Sequence, residues 1–400
     1  MKRTRPVLLV LLLLAAPAAV QGQFSYITNA GNTITITGYS GPPWAVTIPT
    51  NITGLPVTGI GAFAFYNETS LTSATIPGSV TDIGKGAFFY CTSLAGVTIP
   101  GSVAGIGDYA FDSCFSLTNA TIEDGVTAIG EAAFEDCSSL GSVTIPASVA
   151  GIGQSAFDSC FSLTNATIED GVTGIGKAAF AYCERLAGVS IPGSVTNFGE
   201  AAFQFCIRLA SVTISAGVTS IGESAFSDCT SLAAVTIPTS VASISNSAFS
   251  DCTSLAGVTI PASVTSIGEA AFSKCTSLAS VYFKGNPPAA DSSVFAFDTN
   301  ATVYYLPGAT GWSSTLASLP AVLWNPLIQT GDGSFGVQNN QFGFNITGTA
   351  NIPIVVEASP SLAAPVWTPL QALTLTNGLF FFSEPYQPDQ SARFYRIISQ

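Results

Sequence analysis

The chain reads as a solenoid of 23-residue units, with a parallel β-sheet on one face and short helical or 3₁₀ turns on the other, followed by a small all-β sandwich. Three observations carry that prediction. Nine cysteines, Cys91, Cys114, Cys137, Cys160, Cys183, Cys206, Cys229, Cys252 and Cys275, follow one another at intervals of 23 residues without exception. A phenylalanine column keeps the same step from Phe88 to Phe272, and a leucine column keeps it from Leu94 to Leu278. The stretch FDSCFSLTNATIEDGVT recurs unchanged at 111–127 and 157–173, two units apart. A period of this length marks stacked copies of one supersecondary unit, and a stack tolerates duplication of a two-unit block.

Residues 1–22, MKRTRPVLLVLLLLAAPAAVQG, place Lys2, Arg3 and Arg5 before an apolar run at 7–16, with Val20 and Gly22 small enough for a cleavage site. That pattern predicts a signal peptide removed before Gln23. The run is short for a bilayer span, so a secreted or cell-surface protein is expected, with no membrane insertion of the mature chain. Residues 23–58 hold an alternating strand pair, with Ala30-Gly31-Asn32 as its turn, and then a longer first coil; this is an N-terminal cap. Residues 59–285 hold ten units of the form I-G-x-x-A-F-x-x-C-x-x-L-x-x-V-T-I-P-x-x-V. The first has Phe65 and Leu71 in register but Glu68 in the cysteine place.

Within a unit, V-T-I alternates as a strand should, with threonine facing away from the apolar pair. Proline ends the strand. The apolar spacing of three in A-F-x-x-C-x-x-L predicts one or two turns of helical or 3₁₀ backbone. A unit this small closes no core of its own and depends on its neighbours. Residues 286–326, where Tyr282 and Phe283 have just replaced the Thr-Ile of the strand, form a C-terminal cap with a closing strand at 303–305. Residues 327–400 change to alternating strands with an Asn377-Gly378 turn, which predicts the β-sandwich.

The repeated S-I-G-x-x-A-F-x-x-C-x-x-L-x-x-V-x-I-P resembles the BspA-like (Treponema pallidum type) leucine-rich repeat over residues 44–285. The resemblance implies a curved leucine-rich-repeat solenoid with a parallel sheet on its concave side and a surface or secreted location. It also implies, for some members, adhesive binding of host matrix proteins. Residues 327–400 resemble the β-rich module that ends many secreted proteins of environmental bacteria.

Charge and composition narrow the function. A net charge of −13 disfavours nucleic acid or an anionic membrane surface as partner. With 9% charged and 47% hydrophobic residues the chain is no disordered acidic tail. Histidine is absent, which removes Ser-His-Asp and Cys-His catalysis, histidine metal sites and a histidine pH switch. No nucleophile–base pair, metal cluster or phosphate loop remains, so neither an enzyme nor a cofactor is expected.

The cysteine column reads as a structural ladder of buried thiols. Equivalent positions in a parallel stack lie ~4.8 Å apart with side chains pointing the same way. Disulfides want Cβ atoms ~3.8 Å apart and a dihedral of ~90°, which such a column does not offer. A row also cannot surround a tetrahedral metal. The threonines facing out of the sheet, Thr98, Thr121, Thr144 and Thr167, belong to a column from Thr75 to Thr259 in which Ser190 fills one gap. Such a row admits ice binding as a minor reading, although threonine is also simply a good strand residue. Tyr90, Phe115, Phe161, Tyr182 and Phe205 stand beside cysteines and form either a contact patch or cover for the turns. Glu123-Asp124 and Glu169-Asp170 are two coils apart, about 10 Å, too far to share a calcium ion with ligands at ~2.5 Å. They read as solvated turn residues. The reading is a secreted or cell-surface, non-enzymatic repeat protein that binds a protein or polysaccharide. The alternative is a structural envelope protein without a soluble ligand.

Overall fold

A computed structural model describes residues 23–388 and 392–398. The signal-peptide prediction falls outside the described residues. The chain divides into two compact units, one ending at Leu186 and one beginning at Ala187.

The first unit opens with the hairpin Phe24–Thr28 and Ile34–Tyr39, antiparallel, whose second strand pairs parallel with Leu55–Ile60. From there each coil lays down two strands. The longer ones, Ser73–Thr75, Gly96–Ile99, Asn119–Ile122, Ser142–Ile145 and Asn165–Ile168, form a parallel sheet begun by Ala45–Thr47. Shorter ones, Asp82–Ile83, Gly105–Ile106, Ala128–Ile129, Gly151–Ile152 and Gly174–Ile175, continue the hairpin's sheet. Residues one period apart face each other, as in Thr98 with Thr121 and Ile106 with Ile129. The glycine of the I-G pair permits the close approach between coils. A Cβ on Gly107 would sit 2.5 Å from the backbone of Gly84.

The third side of each coil corrects one expectation. No α or 3₁₀ helix occurs among the described residues, and the A-F-x-x-C stretch is a run of turns. Its amides alternate between two destinations. Ala87, Phe89 and Cys91 donate to carbonyls three residues back, as a 3₁₀ helix would, but Gly86, Phe88 and Tyr90 donate to Asp108, Ala110 and Asp112 on the next coil. The redirection needs two left-handed residues per coil, such as Tyr109 (φ 58°) and Ser113 (φ 57°), and these interrupt any helix. Inter-coil hydrogen bonds thus replace half of the intra-coil ones.

The interior is a stack of repeated side chains. Phe65, Phe88, Phe111, Phe134, Phe157 and Phe180 are fully buried, with successive rings parallel at 4.7–5.2 Å. The second unit repeats the scheme with Gly188–Ile191, Ser211–Ile214, Ala234–Thr236, Gly257–Ile260, Ser280–Phe283, Thr302–Tyr305 and Leu319–Leu323 in one parallel sheet. Its short strands Ser220–Ile221, Ser243–Ile244 and Ser266–Ile267 form a separate ladder. Phe198, which interrupts the isoleucine column, turns its ring edge-on to Phe203 and Phe226. A further coil follows Cys275, with Val294 and Phe295 buried and Asp298 in the cysteine place.

Beyond residue 326 two antiparallel sheets share one core. One contains Leu327–Ile328, Gly336–Gln338, Gln341–Thr347 and Leu379–Pro385; the other contains Ile352–Ser359, Thr368–Leu375 and Phe394–Ile398. The turn around Asn377-Gly378 carries the chain from one sheet to the other rather than closing a hairpin. Tyr282 and Tyr304 belong to the same buried cluster as Phe344, Ile354, Val356 and Phe382. The face that presents Thr236 and Thr259 is therefore covered where tyrosine takes over.

Candidate functional site

The nine cysteines are all buried thiols outside any disulfide. A thiol of this column donates to the carbonyl of the phenylalanine 26 residues earlier, as Cys91 does to Phe65 at 3.1 Å and Cys137 to Phe111 at 3.2 Å. The same Phe111 carbonyl also accepts the Cys114 amide. Burial pushes the Cys91 thiol up to about 12, and Cys114, Cys137 and Cys229 well above the ordinary range. A neutral thiol is a small apolar group that can still donate one weak hydrogen bond, which suits this column. It is a poor nucleophile and a poor metal ligand. Among the described residues no group of three cysteine or acidic side chains is placed to hold a metal.

Thr98, Thr121, Thr144 and Thr167 are exposed on the sheet of the first unit. In the second unit the same column runs through Ser190, Thr213, Thr236 and Thr259 to the buried Tyr282. There it ends at a cavity of about 340 Å³ lined by Thr259, Tyr282, Lys284, Tyr304 and Trp324. The acidic turn residues tie adjacent coils together, since Glu123 accepts from the Gly101 amide and Glu169 from that of Ala147, both at 3.0 Å.

Of the aromatics beside cysteines, Tyr90, Phe115, Phe161 and Tyr182 are exposed and Phe205 is half-buried. Tyr90, Tyr182 and Phe205 occupy the left-handed position before the cysteine, with φ of 64°, 55° and 57°. Tyr90 and Phe115 meet edge-to-face at 5.9 Å. They are the end of a longer row, because Phe63 touches Tyr66 at 5.9 Å, Tyr66 stacks on Phe89 at 5.5 Å, and Phe89 meets Tyr90 at 6.2 Å. Sequence reasoning keyed to residues adjacent to cysteines missed Phe63 and Tyr66, since the first unit has no cysteine, and Phe89, which stands two places before Cys91. The available signal was that Tyr66 and Phe89 share a column 23 residues apart. The ring of Phe63 crosses Gly86, where a Cβ would come within 2.4 Å of it. Glycine with φ 57° at that place leaves the ring room to lie flat.

The column of Tyr66 and Phe89 then changes character. The next three coils place Asp112, Glu135 and Asp158 there. Burial pushes Asp112 up to about 6 against the opposing hydrogen bond from the Ser113 hydroxyl, and burial followed by the neighbouring acids pushes Glu135 up to about 7; Asp158 is raised mainly by burial. Lys85 lies 5.0 Å from the Tyr109 ring, whose hydroxyl donates to Glu131 at 2.8 Å. An apolar row thus adjoins a ladder of carboxylates on one rigid face.

Residues 58–187 and 173–302 match the family described as BspA type leucine rich repeat region, which spans more than half of the 400 residues. The chain belongs to that family. Among solved structures it is similar to a leucine rich cell surface protein from Faecalibacterium prausnitzii, at 31% identity over 66% of this chain and 94% of that one, with a TM-score of 0.35. It is also similar to a leucine-rich repeat protein from Bacteroides ovatus (24% identity, 76% and 98% covered, TM-score 0.41). A third is the T. pallidum leucine rich repeat protein (28% identity, 58% and 88% covered, TM-score 0.37). No curated protein matches the chain. In this BspA-type repeat the invariant columns are the buried ones, and the aromatic row varies from coil to coil. A variable side chain on an invariant backbone is how a repeat scaffold carries individual contacts.

Proposed function

We propose that this BspA-type protein is displayed outside the cell and binds a protein partner through the row Phe63, Tyr66, Phe89, Tyr90 and Phe115. The leader pattern at 1–22 and the repeat family support the location. The observation that supports the site is a row of five aromatic rings, each touching the next, with Phe63, Tyr66, Tyr90 and Phe115 exposed and Phe89 half-buried, on a turn face whose backbone is fixed by inter-coil hydrogen bonds. Large rigid rings lose little entropy on binding and make the strongest contacts in protein interfaces. The adjoining carboxylates and the net charge of −13 favour a partner whose apolar anchors are accompanied by basic side chains.

The test is surface binding of the mature chain to purified extracellular-matrix proteins and polysaccharides. Saturable binding of a protein, weakened at least ~30-fold by Tyr66→Ala, Tyr90→Ala and Phe115→Ala together, supports the reading. Thr98→Lys with Thr144→Lys then leaves affinity unchanged. Loss through the threonine variants alone would transfer the contact to the sheet, and saturable binding only to a polysaccharide would overturn the choice of partner.

A further inference from the structure

We infer that the C-terminal domain pairs with a second copy of the chain through the strand Leu379–Pro385. In its sheet the central strand Gln341–Thr347 has Leu327–Ile328 and Gly336–Gln338 on one side and Leu379–Pro385 on the other. The outer side of Leu379–Pro385 pairs with no strand among the described residues. Two bonds bracket its ladder: Tyr386 donates to Asn340, and Gly348 donates to Gly378, both at 3.0 Å. Hydrogen-bonded and non-hydrogen-bonded positions alternate along an antiparallel pair. Phe380, Phe382 and Glu384 therefore face the central strand, while Leu379, Phe381 and Ser383 aim their amides and carbonyls outward. No described group meets those outward backbone groups.

The same residues expose apolar side chains. Leu379 is 57% exposed and Phe381 52%. Leu327, opposite Thr347 and in line with Leu379, extends the patch across the sheet. Edge strands are normally guarded by lysine, proline, a bulge or very short length. This one runs seven residues in regular register, has proline only at its last position and carries one charge, Glu384. Arg393 grips that carboxylate at 2.5 and 2.7 Å, and the Tyr395 hydroxyl donates to it as well. On a chain of net charge −13 the edge is thus a place where two copies meet without like charges opposed.

The pairing pattern also specifies the occupant. A two-fold axis at Phe381 sets Leu379 against the partner's Ser383, Phe381 against the partner's Phe381, and Ser383 against the partner's Leu379. All three positions have outward backbone groups, so they exchange ~6 hydrogen bonds. The next outward position at one end is Pro385, which has no amide, and the other end runs into the turn at Asn377-Gly378. The contact therefore closes as an isologous dimer instead of propagating. A dimer doubles the valence of the aromatic face without adding a contact to it.

The test is sedimentation of the mature full-length chain from ~1 to ~200 μM, where self-association shows as a concentration-dependent mass. Phe381→Lys puts two like charges on the axis. Ser383→Pro deletes an outward amide while leaving the bonds to the central strand intact. The expected result is a dimer whose dissociation constant rises at least ~10-fold in each variant, with melting unchanged. Phe381→Cys, in turn, forms an intermolecular disulfide, because facing Cα atoms at ~5.5 Å lie within disulfide range. A chain that stays monomeric, a dimer indifferent to both edge variants, mass growing beyond two copies, or no cross-link would each overturn the inference.

Discussion

Asp298→Cys should stabilise the protein, and should do so mainly above neutral pH. Asp298 stands one period after Cys275, in a coil that otherwise keeps the repeat geometry. Phe295 stacks on Phe272 at 5.6 Å, and Phe297 retains the left-handed φ of 73°. A thiol in this column donates to a phenylalanine carbonyl, whereas an ionised carboxylate can only accept. Asp298 is 2% exposed, and among the described residues neither carboxyl oxygen has a well-formed hydrogen bond. Burial pushes the group up to about 7, opposed by the backbone of Cys275. Because the folded value lies above the unfolded one near 3.9, the contribution to stability is complete below the unfolded value and is lost as pH rises through the folded one. Between pH ~5 and ~8 the loss amounts to roughly 2–3 kcal/mol. Cysteine removes the titration and restores a donor aimed at the Phe272 carbonyl. Urea denaturation followed by circular dichroism at both pH values reads the difference. The variant should exceed wild type by about 2–3 kcal/mol at the higher pH and by under about 1 at the lower. An equal gap at both values, or a less stable variant at the higher one, would refute the reasoning.

Three more outcomes follow from the stack. Phe134→Ala, which removes a ring held at 5.2 Å from both Phe111 and Phe157, should cost about 3–5 kcal/mol in the same denaturation measurement. The nine thiols should resist a thiol-titrating reagent in the native state and all react after unfolding without reductant; a count of one free thiol would contradict the ladder. Glu135→Gln should raise the denaturation midpoint above neutral pH and leave it nearly unchanged near pH ~5, because the raised carboxyl, at about 7, disfavours folding only when ionised.

The period and the inward columns were legible because every coil meets the same neighbours. A repeated environment selects a repeated residue, so Phe88 to Phe272 and Cys91 to Cys275 directly record which positions face inward. The turn backbone was not legible, because spacing by threes reports which side chains are buried and not which carbonyl receives each amide. Gly86, Phe88 and Tyr90 send their amides to the next coil, and no residue type announces that. The aromatic row was half legible. Tyr90 and Phe115 stand beside cysteines, while Phe63, Tyr66 and Phe89 joined them only through contacts between coils.

Tyr282 and Tyr304 mark the division most clearly. By sequence alone Tyr282 ends a threonine column and signals a cap. Only tertiary structure makes both rings part of the terminal domain's core, because burial of an outward-facing side chain depends on what another segment lays over it. The free edge at Leu379–Pro385 is of the same kind. Alternation predicts a strand there, but only the strand order leaves its outer backbone groups unpaired. Periodicity determined what each coil does for its neighbours, and tertiary structure decided what remains open to anything else.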